Sequence, residues 1–150
     1  MDFATLTLVF TVLGAGLVLL TVYGAAKMDR KLFLSGICYF SLLPIIGETT
    51  RYMDPTTSSP YTITLICAYI AQFFLTRPDN NSYGMDNTAA VALATKIALA
   101  ILAINLGSAY AILFLDFGVA QQFGYYHLVI SISMLYLMYK RFTGEGISWK

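Results

Sequence analysis

Glu48, Arg51 and Tyr52 bring an acid, a base and a phenol within five residues at the end of an apolar run. On a continuing helix Glu48 meets Arg51 at i+3 and Tyr52 at i+4. Pro44, one turn earlier, loosens such a helix and frees a carbonyl. The cluster could bind a cation or relay protons. The plainer expectation is an interfacial ion pair that finishes a short helix, because Glu48 is the first charge after an apolar run. Asn105 and Ser108 lie one turn apart inside another such run, where an amide must hydrogen-bond a neighbouring helix or a ligand. Gln72 is a further polar residue of this kind. His127 is the sole histidine. Beside Tyr125 and Tyr126 it reads as part of an outer aromatic belt, and a haem or zinc site of the usual kind needs more ligands than it offers. An enzyme would require a metal cluster, an acid pair or a nucleophile with its base. None is legible, so no catalytic or metal residue is assigned, and the sequence names no cofactor.

The elements that must carry these residues follow from composition. The AVILMFWYC set makes up 58% of the 150 residues and charged residues only 11%, against ~25% charged in an average soluble protein. Mean hydropathy is +0.70. A soluble monomer of this size could not cover its surface with so few charges, and the deficit runs through the whole chain. The fold class expected is therefore an all-α integral membrane protein, a single helical domain over 1–150. A net charge of +1 without basic clusters excludes a nucleic-acid groove. Cys38 and Cys67 lie in apolar runs and form no CxxC, so both read as small buried residues. The opening MDFATLTLVF has an acid where a signal peptide needs a basic region and reads as a retained span. Asp116-Phe117-Gly118 spells a kinase motif without the surroundings that give it meaning. Asn80-Asn81-Ser82 fits a glycosylation acceptor but falls in a segment whose charge places it inside.

Five spans are expected, at about 3–26, 32–48, 60–76, 96–115 and 119–139, with a short cytoplasmic tail at 140–150. The alternative is three or four spans plus a re-entrant or interfacial segment. That arrangement would draw Glu48, Arg51 and Asp54 into the bilayer at a cost of several kcal/mol. With the N-terminus outside, Lys27, Arg30, Lys31, Arg77, Lys96, Lys140, Arg141 and Lys150 fall inside and Arg51 alone outside. This is the positive-inside bias. Lys96 is then a boundary residue whose ammonium snorkels, preceded by an interfacial turn or extension.

Small residues recur at intervals of three and four along the first span (Ala4, Thr7, Thr11, Gly14, Val18, Thr21, Ala25) and the fourth (Ala100, Ala103, Gly107, Ala111). Lipid gives helices no hydrophobic reason to associate, so such stripes mark faces that meet protein. They do not say whether that protein is the same chain. The function expected is a non-catalytic accessory or structural subunit of a larger membrane complex. Its partners would be the lipid bilayer and other subunits or copies of itself. The alternative is a small oligomeric channel or carrier for an ion or solute, using Glu48 and Asn105.

Overall fold

The computed structural model describes residues 3–78, 87–115 and 118–143, with the side chains of 5–78, 95–115, 118–140 and 143. Asn80, Asn81 and Ser82, the first two residues of Asp116-Phe117-Gly118, the Ala4 side chain and the tail from 144 onward lie outside the described residues. Five helices form: α1 (Phe3–Lys27), α2 (Arg30–Met53), α3 (Pro60–Leu75), α4 (Asn87–Phe114) and α5 (Gln121–Phe142). The protein is all-helical among the described residues. Three of its helices, α1, α2 and α4, are long and apolar enough to cross a membrane. α3 is a shorter apolar helix, and its 16 residues rise ~24 Å.

Local chemistry sets the ends. α1 stops where Met28 turns into the left-handed region (φ 56°). There Asp29 N–H donates to the Gly24 carbonyl and Met28 N–H to that of Ala25, the double bond pattern of a Schellman end. Asp29 then caps α2, its carboxylate accepting from Leu32 N–H at 3.0 Å. α2 runs through Pro44 and continues to Met53, five residues beyond the span end read from sequence. The next turn is held by the Asp54 carboxylate, which accepts from the Thr56 amide at 2.9 Å and its hydroxyl at 2.7 Å. These bonds hold the exposed Asp54 carboxyl below its ordinary range. Ser59 caps α3 and Pro60 opens it, the position where a missing N–H costs nothing. α4 begins at Asn87, so the stretch before Lys96 is helix and not a turn.

Each helix packs on its chain neighbours, and α1 also packs on α5, so the five close into a circuit. The tightest approach is between α1 and α2. A Cβ on Gly36 would run into the Thr21 side chain and lie 2.8 Å from the Thr21 nitrogen, while one on Gly24 would meet the Phe33 backbone. The buried apolar cluster comprises Val18 and Ala25 from α1, Phe33, Ile37, Phe40 and Leu43 from α2, Ile101 and Leu102 from α4, and Ile130, Met134 and Leu137 from α5. α3 contributes no fully buried member; its Leu75 only rests against the cluster.

Candidate functional site: a buried polar chain

The buried residues of α3 are Thr62, Tyr69 and Gln72, followed by Thr76 at its C-cap. They recur at intervals of seven, three and four, one face of a helix. Opposite them stand Asn105 and Ser108 of α4, Ser41 of α2 and His127 of α5, all buried. Tyr69 and Gln72 join these four residues in one hydrogen-bonded chain across four helices. Asn105 Nδ2 donates to Gln72 Oε1 at 2.8 Å and to the Ile101 carbonyl at 2.9 Å. Gln72 Nε2 donates to Ser41 Oγ at 2.9 Å, and the Ser41 hydroxyl donates to the Ile37 carbonyl. Asn105 Oδ1 lies 2.8 Å from His127 Nδ1. On the far side of the ring, His127 Nε2 lies 3.2 Å from the Tyr69 hydroxyl, which donates to Ser108 Oγ at 2.6 Å.

Hydrogen-bond arithmetic fixes the protons. A carbonyl only accepts, so Ile101 holds the Asn105 amide with its nitrogen toward Ile101 and Gln72 and its oxygen toward His127. His127 Nδ1 therefore carries a hydrogen, and in neutral imidazole Nε2 is left as an acceptor. Tyr69 has one hydrogen for two acceptors, because the Ser108 hydrogen is engaged by the Ile104 carbonyl at 2.7 Å. If the Ser108 hydroxyl turns from that carbonyl to Tyr69, Tyr69 is free to donate to His127 Nε2, so two hydrogen arrangements are open at this end, while the Asn105–Gln72–Ser41 end has one. The amide of Asn105 also interrupts any Grotthuss path, since it passes no proton without leaving its stable tautomer. Phe40 closes the site from α2, its ring edge-on to His127 at 5.1 Å between centroids. Tyr69 stacks on the imidazole at 5.7 Å.

His127 is a correction to the sequence reading. It is 2% exposed and sits among α2, α3 and α4, while its neighbour Tyr125 is exposed. At 100° per residue the two point to different faces, so the belt claims Tyr125 and the interior takes His127. Glu48 is also more buried than an interfacial carboxylate, 7% exposed. Arg51 Nη1 reaches both its oxygens, at 3.1 and 3.4 Å. Tyr52 is exposed on the same helix. Glu48 and Arg51 are brought together; neither is bonded to the Asn105–His127 chain in the described contacts.

The small-residue stripes divide. On α1, Gly14, Val18, Thr21 and Ala25 are buried and Thr7 and Thr11 half-buried. Gly14 faces Tyr126, whose ring carbons would lie 2.9 and 3.0 Å from an added Cβ. Tyr126 donates its hydroxyl hydrogen to the Thr11 carbonyl at 3.0 Å, and Gln122 Nε2 reaches Thr11 Oγ1 at 3.2 Å. On α4, Ala100, Ala103 and Gly107 are exposed and Ala111 half-buried, and a Cβ on Gly107 would meet nothing within 4 Å. Sequence reasoning missed Tyr69 and Ser41. The Thr62–Tyr69–Gln72–Thr76 spacing was the signal available for Tyr69; Ser41, a lone hydroxyl in an apolar run, gave none. Among the described residues no group of three or more metal-type ligands occurs. Compared with known family models, curated proteins and solved structures, the chain matches none.

Proposed function

We propose that this protein is a small accessory subunit of a larger membrane complex, all five helices crossing the bilayer with the N-terminus outside and the C-terminus inside. The carrying observation is the outward face of α4, where Ala100, Ala103 and Gly107 are exposed while Ile101, Asn105 and Ser108 on the opposite face are buried. Lipid tails gain nothing from a small-residue stripe, whereas a second transmembrane helix gains close backbone contact. The α1 stripe is covered by the chain's own Tyr126 at Gly14 and Gly36 at Thr21, which leaves α4 as the stripe for another chain. Beside it runs a groove of about 440 Å³ bounded by Leu106, Tyr110, Phe114 and Tyr125, with room for a partner's bulky side chains.

Topology rests on the charge division and the helix circuit. α5 shares seams with α1 and α4, so it lies alongside two helices apolar enough to span. Thr11 near the start of α1 bonds to Gln122 and Tyr126 near the start of α5, so the two helices begin at the same end. Lys96 to Phe114 rises ~27 Å, close to the ~30 Å hydrocarbon core. Lys27 and Lys140 each sit 5.9 Å over a tyrosine ring, Tyr23 and Tyr136, an aromatic-and-cation rim suited to the inner interface. The carrier alternative is less well supported, because the Asn105 amide nitrogen and oxygen are both occupied by protein groups. Photo-crosslinking from Leu99 and Tyr110, which flank the stripe, tests the reading. Adducts with a foreign membrane chain should form there and not from Leu19 of α1, which is more exposed than either. Adducts from neither α4 position, in native membranes, would remove its basis.

A further inference from the structure

We propose that α3 is a lateral gate: it undocks from α4 and α5 as a unit, opening a polar cleft to the bilayer, while the other four helices stay packed. Three observations carry this. The buried apolar cluster is built by α1, α2, α4 and α5, and Leu75 is the one half-buried apolar residue of α3 packed against it. The buried side chains of α3 all bear a hydroxyl or an amide. The α3–α4 seam is the least extensive of the five that close the circuit, and its side-chain bridges are Tyr69 to Ser108 and Gln72 to Asn105.

The physics separates α3 from its neighbours. Inside a bilayer apolar faces are as well solvated by lipid as by protein, and what holds a helix is close packing and polar bridging. α3 has its close packing on α2, where the Cys38 thiol also reaches the Phe73 carbonyl at 3.5 Å. On the α4 side it has the latch. Breaking the latch strands Gln72, Asn105 and His127, and polar groups at membrane depth must find other partners. The open cleft is therefore hydrated or filled by a hydrogen-bonding molecule, and α2 is the side on which α3 pivots.

Pulsed electron–electron distance measurements in lipid nanodiscs read this directly. Cys67, exposed on α3, carries one spin label once Cys38 is replaced by alanine. The second label goes on Ala103 of α4, or as reference on Tyr39 of α2. A third pair, Ala103 with Ile132 of α5, reports the rest of the bundle. The Cys67–Ala103 distribution should hold a second, longer component, and the two reference pairs a single one. Gln72→Leu, which removes the bridges to both Ser41 and Asn105, should raise the longer component at least about threefold, the factor that one interhelical bond of average strength corresponds to. Tyr69→Phe should raise it as well. A single narrow distribution for Cys67–Ala103 in wild type and both variants overturns the gate. So does equal broadening of the reference pairs, which would mean that the bundle loosens as a whole.

Discussion

Asn105→Ala isolates the polar chain at its most connected residue. The amide makes two bonds between helices, to Gln72 on α3 and to His127 on α5, plus one to its own helix at Ile101. Removing it leaves Gln72 Oε1 without its donor and the His127 Nδ1 hydrogen without its acceptor, both fully enclosed. Two interhelical bonds at the average measured in membranes come to ~1.2 kcal/mol and at the maximum to ~3.4 kcal/mol. The orphaned partners push the value up within that range, because an unmet buried group costs ~1–3 kcal/mol. The expected loss is about 2 kcal/mol. Reversible unfolding by sodium dodecyl sulfate in mixed micelles, followed by near-ultraviolet circular dichroism of the tyrosines, measures it. Asn105→Leu separates bonding from cavity formation, since it restores most of the volume but none of the bonds, and it should lose nearly as much. A Gln72→Leu/Asn105→Leu double-mutant cycle should show a coupling of at least ~0.5 kcal/mol. If Asn105→Ala lies within ~0.5 kcal/mol of wild type, or Asn105→Leu restores full stability, the chain does not hold the helices as reasoned here.

Gly36→Ala should destabilise by about 2 kcal/mol or more, because its Cβ meets the Thr21 side chain and the α1 backbone; Gly16→Ala, with nothing within 4 Å, should be neutral or slightly stabilising in the same unfolding assay. The Asp54 turn is favoured while the carboxylate is ionised. Because its folded value lies below the ordinary 3.8, the contribution is present above the unfolded value and lost as pH falls through the lower folded one. The Thr56 amide resonance should therefore hold its position down to about pH 4 and move only below it, and a midpoint above the ordinary carboxylate range contradicts the bonding. For topology, a cysteine placed at Ser58 should react with an impermeant reagent from outside intact cells, while one at Lys31 or Thr143 should not; the reverse pattern inverts the orientation.

The helices were legible because charges bracket apolar runs in this chain, and short turns of Asp, Ser and Pro sit between them. Boundaries were read less well. Counting charges ended the second span at Glu48, but helix continues to Met53, since a charge limits the apolar stretch without stopping the helix, and the added turn brings Arg51 to Glu48. The stretch before Lys96 looked expendable to a span of minimum length, yet nothing in it stops a helix. Asn105 could be singled out from its depth alone. His127 was misplaced because neighbouring tyrosines suggested a belt, and sequence proximity on a helix is not a shared face. Partnership was the harder level. That Asn105 would meet Gln72 and His127, and that the α1 stripe would be filled from within while the α4 stripe faced outward, depends on the order of helices around the circuit. A single sequence does not state that order.

If the exposed α4 face belongs to another membrane chain, the two should leave the membrane together. Native mass spectrometry of the protein extracted from its own membranes in mild detergent tests it most directly. The particle should be heavier than the 16.6 kDa chain and contain at least one foreign membrane protein in fixed ratio. Gly107→Leu should release this chain from the particle with its own stability unchanged, since the substituted side chain meets only open space. A particle holding this chain alone, as monomer or as copies of itself, or a complex that survives Gly107→Leu intact, would contradict the account.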